Sequence, residues 1–223
     1  MIEIKNLNKI YLKGKKNMVH ALNNINLKID DRETVAIIGE SGAGKSTLLH
    51  IMSCIDNFDG EYYLDNIDIN KLSESKKSKL RSSKIGIVLQ NFALIDDFTV
   101  FENVMTPLYF NKKIKDKKGS VMRALKKTGI ASLKAKKVSQ LSGGQKQRVA
   151  ISRALVTNPE YIFADEPTGS LDSKTSDEII KMLFELNSNG ITIVIVTHNL
   201  EIANQCHHII EIKDGNIIKD ICS

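Results

Sequence analysis

The sequence has few cysteines, and their spacing forms no recognisable pattern. Cys54, Cys206 and Cys222 are odd in number and scattered, without CxxC spacing and without a histidine at a partnering offset. This pattern argues against a disulfide framework and against a zinc site. The adjacent His207 and His208 are predicted to be structural, because neighbouring residues on a strand point to opposite faces.

Aromatic residues are also scarce, at 5% of the chain, and they are not interleaved with the basic residues. The formal net charge is +6, and much of the lysine lies between residues 112 and 137. A base-stacking surface needs aromatic rings among its basic side chains, so these lysines are predicted to form a solvated helical face and no nucleic-acid partner is expected. A weaker functional interpretation of the same positive charge is attraction to an anionic membrane surface.

Long apolar runs are absent as well. A transmembrane helix needs about 20 mostly apolar residues, whereas the longest uncharged stretch, residues 186–200, includes Asn187, Gly190 and His198. Residues 1–5 lack the basic-then-apolar order of a secretory signal. We therefore expect a cytoplasmic chain that does not itself span a membrane.

The length and the apolar content fit one α/β domain spanning residues 1–223. With 223 residues and 42% hydrophobic content, the chain can bury one substantial core. Alternating apolar and polar positions over the first thirty residues predict an antiparallel β region. Short apolar runs that predict buried strands, parallel to one another with helical crossovers, occur at residues 34–38, 85–89, 161–164 and 191–196.

Two further segments complete the predicted organisation. Residues from about 95 to 157 are rich in helix formers and lysine, which predicts a helical subdomain inserted in the α/β core. An Asp214-Gly215 turn between strand-like runs predicts a hairpin over residues 209–218. The expected fold class is thus α/β, with a mixed core sheet, an N-terminal antiparallel β subdomain and a helical insertion.

A phosphate-binding loop is predicted at residues 39–46. The segment reads GESGAGKS, matches GxxxxGK[ST] and lies between a predicted strand and a predicted helix. In such a P-loop the backbone N–H groups surround phosphate oxygens, the lysine reaches the β- and γ-phosphates, and the serine hydroxyl is placed to bind Mg²⁺. The predicted nucleotide-binding residues here are Gly39, Ser41, Gly42, Ala43, Gly44, Lys45, Ser46 and Thr47.

Two acidic residues at the end of a later apolar run fit the same chemistry. Asp165 ends the run at residues 161–164, and Glu166 follows it directly. Consecutive acids at a strand end cannot both face one ion. Asp165 is therefore predicted to orient the Mg²⁺ shell, while Glu166 polarises the attacking water as general base.

The segment at residues 141–145, LSGGQ, followed by KQRVAI, resembles the signature of ATP-binding cassette (ABC) ATPases. The resemblance covers nearly the whole chain and implies a P-loop NTPase of the ABC ATPase fold. Ser142, Gly143, Gly144 and Gln145 would open a helix that offers a hydroxyl and N–H groups to an anion. In ABC ATPases that anion is the γ-phosphate held by the P-loop of a second subunit.

The resemblance assigns roles to other positions one by one. Gln90 resembles the Q-loop glutamine that senses Mg²⁺ and the attacking water, and Asp172, in residues 170–172, resembles part of the D-loop that crosses the dimer interface. His198 resembles the switch histidine that contacts the γ-phosphate. Tyr11 resembles the aromatic residue that stacks on adenine, although a tyrosine in an N-terminal hairpin is often plain packing.

The family pattern also implies a partner and a place in the cell. A homodimer would enclose two Mg-ATP and drive membrane permease subunits, which would hold the chain on the inner face of the membrane. The motifs resemble most those of lipoprotein-release, macrolide-efflux and antimicrobial-peptide-resistance ATPases, which implies efflux or extraction of a peptide, lipid or drug-like substrate. Arg32, where glycine is usual, and Val138, where proline is usual, depart from the pattern at scaffold positions.

Two alternatives remain open. An ABC ATPase that acts on DNA or ribosomes is less favoured, because this chain has a single cassette and no long coiled coil between the P-loop and Asp165. An ABC ATPase that drives a signalling or cell-division complex in the membrane, without transport, is the other alternative, and the sequence is compatible with it.

Overall fold

A computed structural model describes residues 1–12, 14, 17–111 and 113–222. They divide into two compact units, one formed by Met1–Ser78 with Thr192–Ser223 and the other by Lys79–Ile191. Within the described residues, no helix combines the length and the apolar character needed to cross a bilayer.

The described residues form ten strands and seven α-helices. In chain order they are β1 (Ile2–Tyr11), β2 (Val19–Ile29), β3 (Thr34–Ile38), α1 (Lys45–Met52), β4 (Asp59–Leu64), β5 (Ile67–Asp68), α2 (Glu74–Lys84), β6 (Ile85–Val88), α3 (Val100–Met105), α4 (Lys117–Lys127), α5 (Gly143–Leu155), β7 (Tyr161–Asp165), α6 (Ser173–Ser188), β8 (Thr192–Val196), α7 (Leu200–Ala203), β9 (His208–Lys213) and β10 (Asn216–Cys222). Short 3₁₀ turns lie at Ile69–Lys71, Thr106–Tyr109, Ala131–Leu133 and Val138–Gln140.

The first unit contains an antiparallel sheet with the strand order β2-β1-β4-β5. Alternate residues of β1 such as Ile2 and Ile4 are buried, as the period of two in a half-buried strand requires. Their partners across the sheet, Ile29 and Leu27, are buried too. This confirms the antiparallel β region predicted from the alternating pattern.

The same unit contains the strands that lead to the phosphate loop. β3 pairs in parallel with β8 and β9, and β9 pairs antiparallel with β10, so this sheet is mixed. Every residue of β3 and β8 is buried, which explains why their sequences are continuously apolar rather than alternating. The predicted hairpin is present, with Asp214 and Gly215 in its turn.

The second unit contains the parallel pair β6 and β7 together with the helices between them. Residues 95–157 form α3, α4, α5 and 3₁₀ turns. The approach of α5 to β6 is close, since a Cβ placed on Gly86 would lie 2.7 Å from the carbonyl oxygen of Ala154. The predicted α/β fold with its helical insertion is thereby confirmed, while the bounds of that insertion and the single-domain assignment remain predictions.

The two departures from the family pattern each have a local structural account. Arg32 has a φ of 66°, the left-handed conformation that glycine adopts without cost, and its N–H donates to Thr192 Oγ1 at 2.8 Å. Val138 donates its backbone N–H to the carbonyl oxygen of Phe98 at 3.0 Å. A proline has no N–H, so valine here supplies a hydrogen bond that the usual residue could not.

Candidate functional site

The phosphate loop connects β3 to α1, as predicted, and two of its glycines are required by close backbone contacts. Gly39 has a φ of 144°, and a Cβ on it would lie 2.1 Å from the carbonyl oxygen of Ile212. Gly44, with a φ of 107°, would place a Cβ 2.5 Å from the carbonyl oxygen of Ala21. No other residue fits these positions without moving the backbone.

The turn of the β9–β10 hairpin supports the loop from a distant part of the sequence. Gly215 donates its N–H to the carbonyl oxygen of Ala43 at 3.0 Å, and its own carbonyl accepts from the N–H of Asn23 at 2.8 Å. The hairpin turn therefore ties the loop to β2. Sequence reasoning missed this support, because neither Gly215 nor Asn23 belongs to a phosphate-binding motif.

Lys45 is placed within the loop that it serves. Its side chain is buried, at 9% exposure, and Nζ donates to the carbonyl oxygens of Gly39 at 2.9 Å and Glu40 at 2.7 Å. Ser46 and Thr47 follow it in the first turn of α1, where the helix N-terminus favours anions. The loop thus combines an ammonium group, hydroxyls and a helix N-terminus in one segment.

Tyr11 lies beside this helix. Its hydroxyl donates to Asp56 Oδ2 at 2.6 Å, and Lys9 Nζ lies 4.8 Å from the ring centroid. Burial, then the hydrogen bond to Asp56, raise the pKa of Tyr11, while a hydrogen bond with Thr47 acts in the opposite direction. Contact with Thr47 brings Tyr11 next to the predicted nucleotide-binding residues, and its stacking on adenine stays a prediction.

His198 follows β8, the parallel neighbour of β3. The N–H of Thr197, just before it, donates to the carbonyl oxygen of Ile37 at 3.1 Å, and His198 itself is exposed. Because the carboxyl ends of parallel strands meet at one edge of a sheet, His198 and the phosphate loop lie at the same edge of the first unit.

In the second unit, Gln90 and Glu166 converge. Gln90 follows β6 and Glu166 follows β7, its parallel partner. A Cβ on Gly169 would lie 3.6 Å from the Cβ of Glu166 and 3.7 Å from Gln90 Nε2. Glu166 itself has a φ of 45°. Asp165, at the end of β7, is buried at 8% exposure, so the two consecutive acids have different environments.

Arg153 supports the turn after Gln90, and sequence reasoning missed it. From α5 its guanidinium donates to the carbonyl oxygens of Phe92, at 2.7 Å, and of Ala93. Both of these residues have positive φ, at 60° and 45°, and burial lowers the pKa of Arg153. A planar fork of donors suits two adjacent carbonyls, so Arg153 is a positioning residue for the segment that carries Gln90.

The signature segment forms a capped helix N-terminus. Ser142 is the N-cap of α5: its Oγ accepts from the N–H of Gln145 at 3.4 Å, and its own N–H donates to Gln145 Oε1 at 3.1 Å. This reciprocal arrangement is a capping box. It holds the first turn of α5 in one geometry.

The glycines of the signature lie against the segment that begins α6. A Cβ on Gly144 would lie 2.5 Å from Thr175 Cγ2, and one on Gly143 would lie 3.4 Å from Leu171 Cδ2. Asp172 caps α6 by accepting from the N–H of Thr175 at 3.0 Å and from its hydroxyl at 2.7 Å. These bonds lower the pKa of Asp172. The predicted signature and D-loop segments are therefore in contact.

A comparison with models of known protein families shows which family the chain belongs to. The family model described as ABC transporter matches residues 22–169, which include the phosphate loop, the signature and both acids. The chain belongs to the ABC transporter family. It is accordingly an ABC ATPase, a nucleotide-binding enzyme that hydrolyses ATP.

Individual relatives of this ABC ATPase are similar over nearly its whole length. The uncharacterized ABC transporter ATP-binding protein MJ0796 of Methanocaldococcus jannaschii is 45% identical over 227 residues, covering 99% of this chain and 96% of that protein. The macrolide export ATP-binding/permease protein MacB of Mannheimia succiniciproducens is 45% identical over 222 residues. The match covers 99% of this chain but only 34% of MacB, so the chain spans about a third of that relative.

Solved structures agree with the fold. A dimeric structure of a post-hydrolysis state of the ATP-binding cassette MJ0796, bound to ADP and Pi, matches with a TM-score of 0.91 and 42% identity. The match covers 100% of this chain and 98% of that one. The predicted ABC ATPase fold is confirmed, whereas the role of each individual residue remains a prediction.

Proposed function

We propose that this ABC ATPase is the motor of a membrane transporter. Two copies close around two Mg-ATP, and loss of the γ-phosphate on hydrolysis lets them reopen. The motion drives permease subunits that export or extract a peptide, lipid or drug-like substrate. The chain then sits at the inner face of the cell membrane through its permease.

The observation that carries this proposal is the construction of the α5 N-terminus. Ser142 and Gln145 cap each other, so the first N–H groups of the helix point to one fixed place with the positive end of the helix dipole. The Ser142 hydroxyl accepts from Gln145, and its hydrogen is available to a further acceptor. Such a terminus suits the γ-phosphate of ATP held by a second copy.

The roles of the other residues follow from their chemistry. Lys45 neutralises the β- and γ-phosphates, and His198 contacts the γ-phosphate. Glu166 accepts the proton of the attacking water, a role worth about 10² to 10⁴ in rate, and Gln90 beside it orients that water. Tyr11 stacks on the adenine, and Asp172 contributes at the interface between the copies.

The oxygen donors of this chain fit Mg²⁺. The hydroxyl of Ser46, the carboxylate of Asp165 and the amide oxygen of Gln90 are hard ligands of the kind that Mg²⁺ prefers. The burial of Asp165 agrees with a carboxylate that faces a cation rather than solvent. When bound, the ion neutralises charge on the phosphates.

The relatives support the membrane partner. MacB, by its name, combines an ATP-binding part with a permease, and this chain matches about a third of it. A permease partner for this chain is therefore consistent with the architecture of a relative. A macrolide or another drug-like molecule is one substrate class to test.

Glu166→Gln tests the proposal. A glutamine keeps the size of the side chain but cannot take a proton, so turnover should fall by about 10² to 10⁴. ATP binding should persist, and the variant should elute as a dimer only when Mg-ATP is present. The measurements are steady-state phosphate release and size-exclusion chromatography with light scattering.

Glu185→Gln is the matched control, since Glu185 is an exposed carboxylate on α6. It should retain normal turnover and show no ATP-stabilised dimer. Normal turnover by Glu166→Gln would overturn the assignment of the base. A Glu166→Gln chain that binds ATP but stays monomeric at every concentration would overturn the dimer motor.

A further inference from the structure

The open end of the β9–β10 hairpin gathers three side chains of metal-binding type. His208 and Cys222 are direct partners across the two strands, and Asp220, two residues before Cys222, projects from the same face of β10. One ligand atom from each lies within 4.8 Å of the other two. The sequence offers no histidine at a partnering offset from a cysteine, because this pairing is made across a hairpin and not along the chain.

His208 is held with its two ring nitrogens in different surroundings. The residue is buried, at 2% exposure, and Nε2 lies 2.5 Å from Asp220 Oδ1. Among the residues that the structure describes, Nδ1 has no hydrogen-bond partner, and it lies 3.6 Å from Glu33 Oε2. The ring nitrogen without a partner thus faces Glu33, whereas the nitrogen that faces the cluster, Nε2, is hydrogen-bonded to Asp220.

Negatively charged side chains surround the cluster of His208, Asp220 and Cys222. The carboxylate of Glu33 lies 3.6 Å from Nδ1 of His208, and that of Asp220 lies 2.5 Å from Nε2. The carboxylate of Asp30 is paired with Lys28 at 2.9 Å. Glu33 accepts from the N–H of Asp30 at 3.0 Å through Oε2, the oxygen that faces His208. A cation placed between His208, Asp220 and Cys222 would relieve this concentration of negative charge.

We propose that His208, Asp220 and Cys222 form a binding site for one Zn²⁺ ion, separate from the nucleotide-binding residues. Imidazole nitrogen, carboxylate oxygen and thiolate sulfur are the three ligand types that zinc takes in proteins. Nε2 of His208 is the ligand atom. On zinc binding, Nδ1–H donates to Glu33, whose Oε2 is now 3.6 Å away, because metal-binding histidines use an outer carboxylate to fix their tautomer.

The ligands must rearrange locally to hold the ion. Zinc lies about 2.0–2.3 Å from its ligand atoms, so two ligand atoms of one tetrahedral site are about 3.3–3.7 Å apart. Nε2 of His208 and Oδ1 of Asp220, now 2.5 Å apart, must therefore separate and exchange their hydrogen bond for bonds to zinc, while the Cys222 thiol gives up its proton. Asp220 and Cys222 are exposed at the end of β10, where their side chains can rotate, while buried His208 stays in place. Three protein ligands leave a fourth position for water.

The ion would clamp the hairpin whose other end supports the phosphate loop. The turn at Gly215 donates to Ala43, and Ile212 on β9 contacts Gly39. Zinc at the open end ties β10 to β9. Bound zinc should therefore raise the melting temperature of the protein.

Metal titration of the nucleotide-free full chain, with any affinity tag removed, tests the site. Zn²⁺ is titrated against a chromophoric chelator, and Co²⁺ is used as a spectroscopic substitute. We expect one equivalent of tight zinc and a thiolate-to-cobalt absorption band in the near ultraviolet. Without nucleotide, the P-loop residues supply no thiolate that could produce this band.

Variants at the exposed ligands separate the site from folding effects. Cys222→Ser should abolish the cobalt–thiolate band, and Asp220→Asn, which removes a direct ligand, should weaken zinc binding by at least about 100-fold, more than the loss of an outer partner does. Glu33→Gln, which removes an outer carboxylate, should weaken zinc binding by about 10- to 100-fold while keeping the band. All three variants should bind a fluorescent ATP analogue as the unmodified chain does, which also reports that they are folded.

Two matched controls use residues of the same types. Cys206→Ala removes a buried thiol whose pKa burial raises to about 12, and Asp214→Asn removes a carboxylate at the other end of the hairpin. Both should bind zinc normally. The proposal is overturned by substoichiometric zinc binding, by a missing cobalt–thiolate band, or by a band that survives in Cys222→Ser.

Discussion

At the scale of single residues, the phosphate loop depends on contacts that its motif does not describe. The motif specifies glycine at residue 39, but the reason lies in β9, whose Ile212 carbonyl occupies the space that a side chain would need. Lys45 likewise acts through its neighbours, because its ammonium group is held by the carbonyls of Gly39 and Glu40. These contacts set the loop geometry before any nucleotide arrives.

Gly39→Ala should damage the loop. The new Cβ meets backbone at 2.1 Å and the φ of 144° is almost confined to glycine, so the free energy of unfolding should fall by about 3 kcal/mol. ATP binding should weaken at least tenfold, because the backbone of Gly39 must shift and Lys45 donates to the Gly39 carbonyl. Urea denaturation and titration with a fluorescent ATP analogue measure the two effects.

Gly14→Ala separates backbone strain from this collision. Gly14 has a φ of 80°, and within the described part of the chain no atom lies within 4 Å of the position that a Cβ would take, so the substitution should cost about 1 kcal/mol and leave ATP affinity unchanged. If Gly39→Ala and Gly14→Ala lose equal stability, the contact with Ile212 is not what requires glycine at residue 39.

At the scale of elements, two helices of the second unit begin in the same way but have different proposed roles. α3 is capped by Thr99 and Glu102, and α5 is capped by Ser142 and Gln145, both through a complete capping box. The capping residues contribute comparable stability. We propose an anion-binding role only for the N-terminus of α5. The two capped helices can therefore be compared within one chain.

Ser142→Ala and Thr99→Ala should therefore agree in stability and differ in assembly. Each should lower the free energy of unfolding by about 1 kcal/mol through the lost cap. Ser142→Ala, combined with Glu166→Gln to prevent turnover, should bind ATP as a monomer and weaken the ATP-dependent dimer at least tenfold. Thr99→Ala in the same background should leave the dimer unchanged.

Sedimentation velocity over a range of protein concentrations measures the dimerisation constant. An unchanged constant for Ser142→Ala would refute contact between its hydroxyl and the nucleotide of a second copy. If both variants weaken the ATP-dependent dimer equally, the effect comes from lower helix stability and not from contact with a nucleotide.

At the scale of the whole molecule, the proposed dimer makes each nucleotide site a composite of two copies. In this proposal Lys45 acts on the nucleotide of its own chain, whereas Ser142 acts on that of the other chain. Head-to-tail pairing of this kind predicts that two differently defective chains repair one another. A site contained within one chain could not be repaired by mixing.

Lys45→Ala and Ser142→Ala should each be nearly inactive alone and partly active together. In a mixed dimer one site combines an intact Lys45 with an intact Ser142, so an equal mixture should recover up to about a quarter of normal turnover, since half of the pairs are mixed and each has one intact site. Phosphate release is measured before and after mixing at constant total protein.

Mixing each variant with itself at the same total concentration is the control. Activity that never exceeds the average of the separate variants would refute completion of the site by a second copy. Recovery in the mixture alone would support it, and would do so without any knowledge of the transported substrate.

Much of the fold and of the nucleotide chemistry followed from the sequence alone. Residues 34–38 and 191–196 were continuously apolar and became the buried strands β3 and β8. Residues 39–46 and 141–145 were recognisable because phosphate loops and helix caps are built from residues next to one another in the chain. Local geometry of this kind needs only local sequence.

Tertiary structure alone decided which distant groups support or accompany those motifs. Three of these contacts join residues that are far apart in sequence. They are the contact of Gly39 with Ile212, the hydrogen bond from Gly215 to Ala43 and the hydrogen bond from Arg153 to Phe92. His208 and Cys222 meet because the register of a hairpin places them opposite each other. The spacing of residues along the chain does not predict this register, because pairing across strands is fixed only when the whole sheet packs.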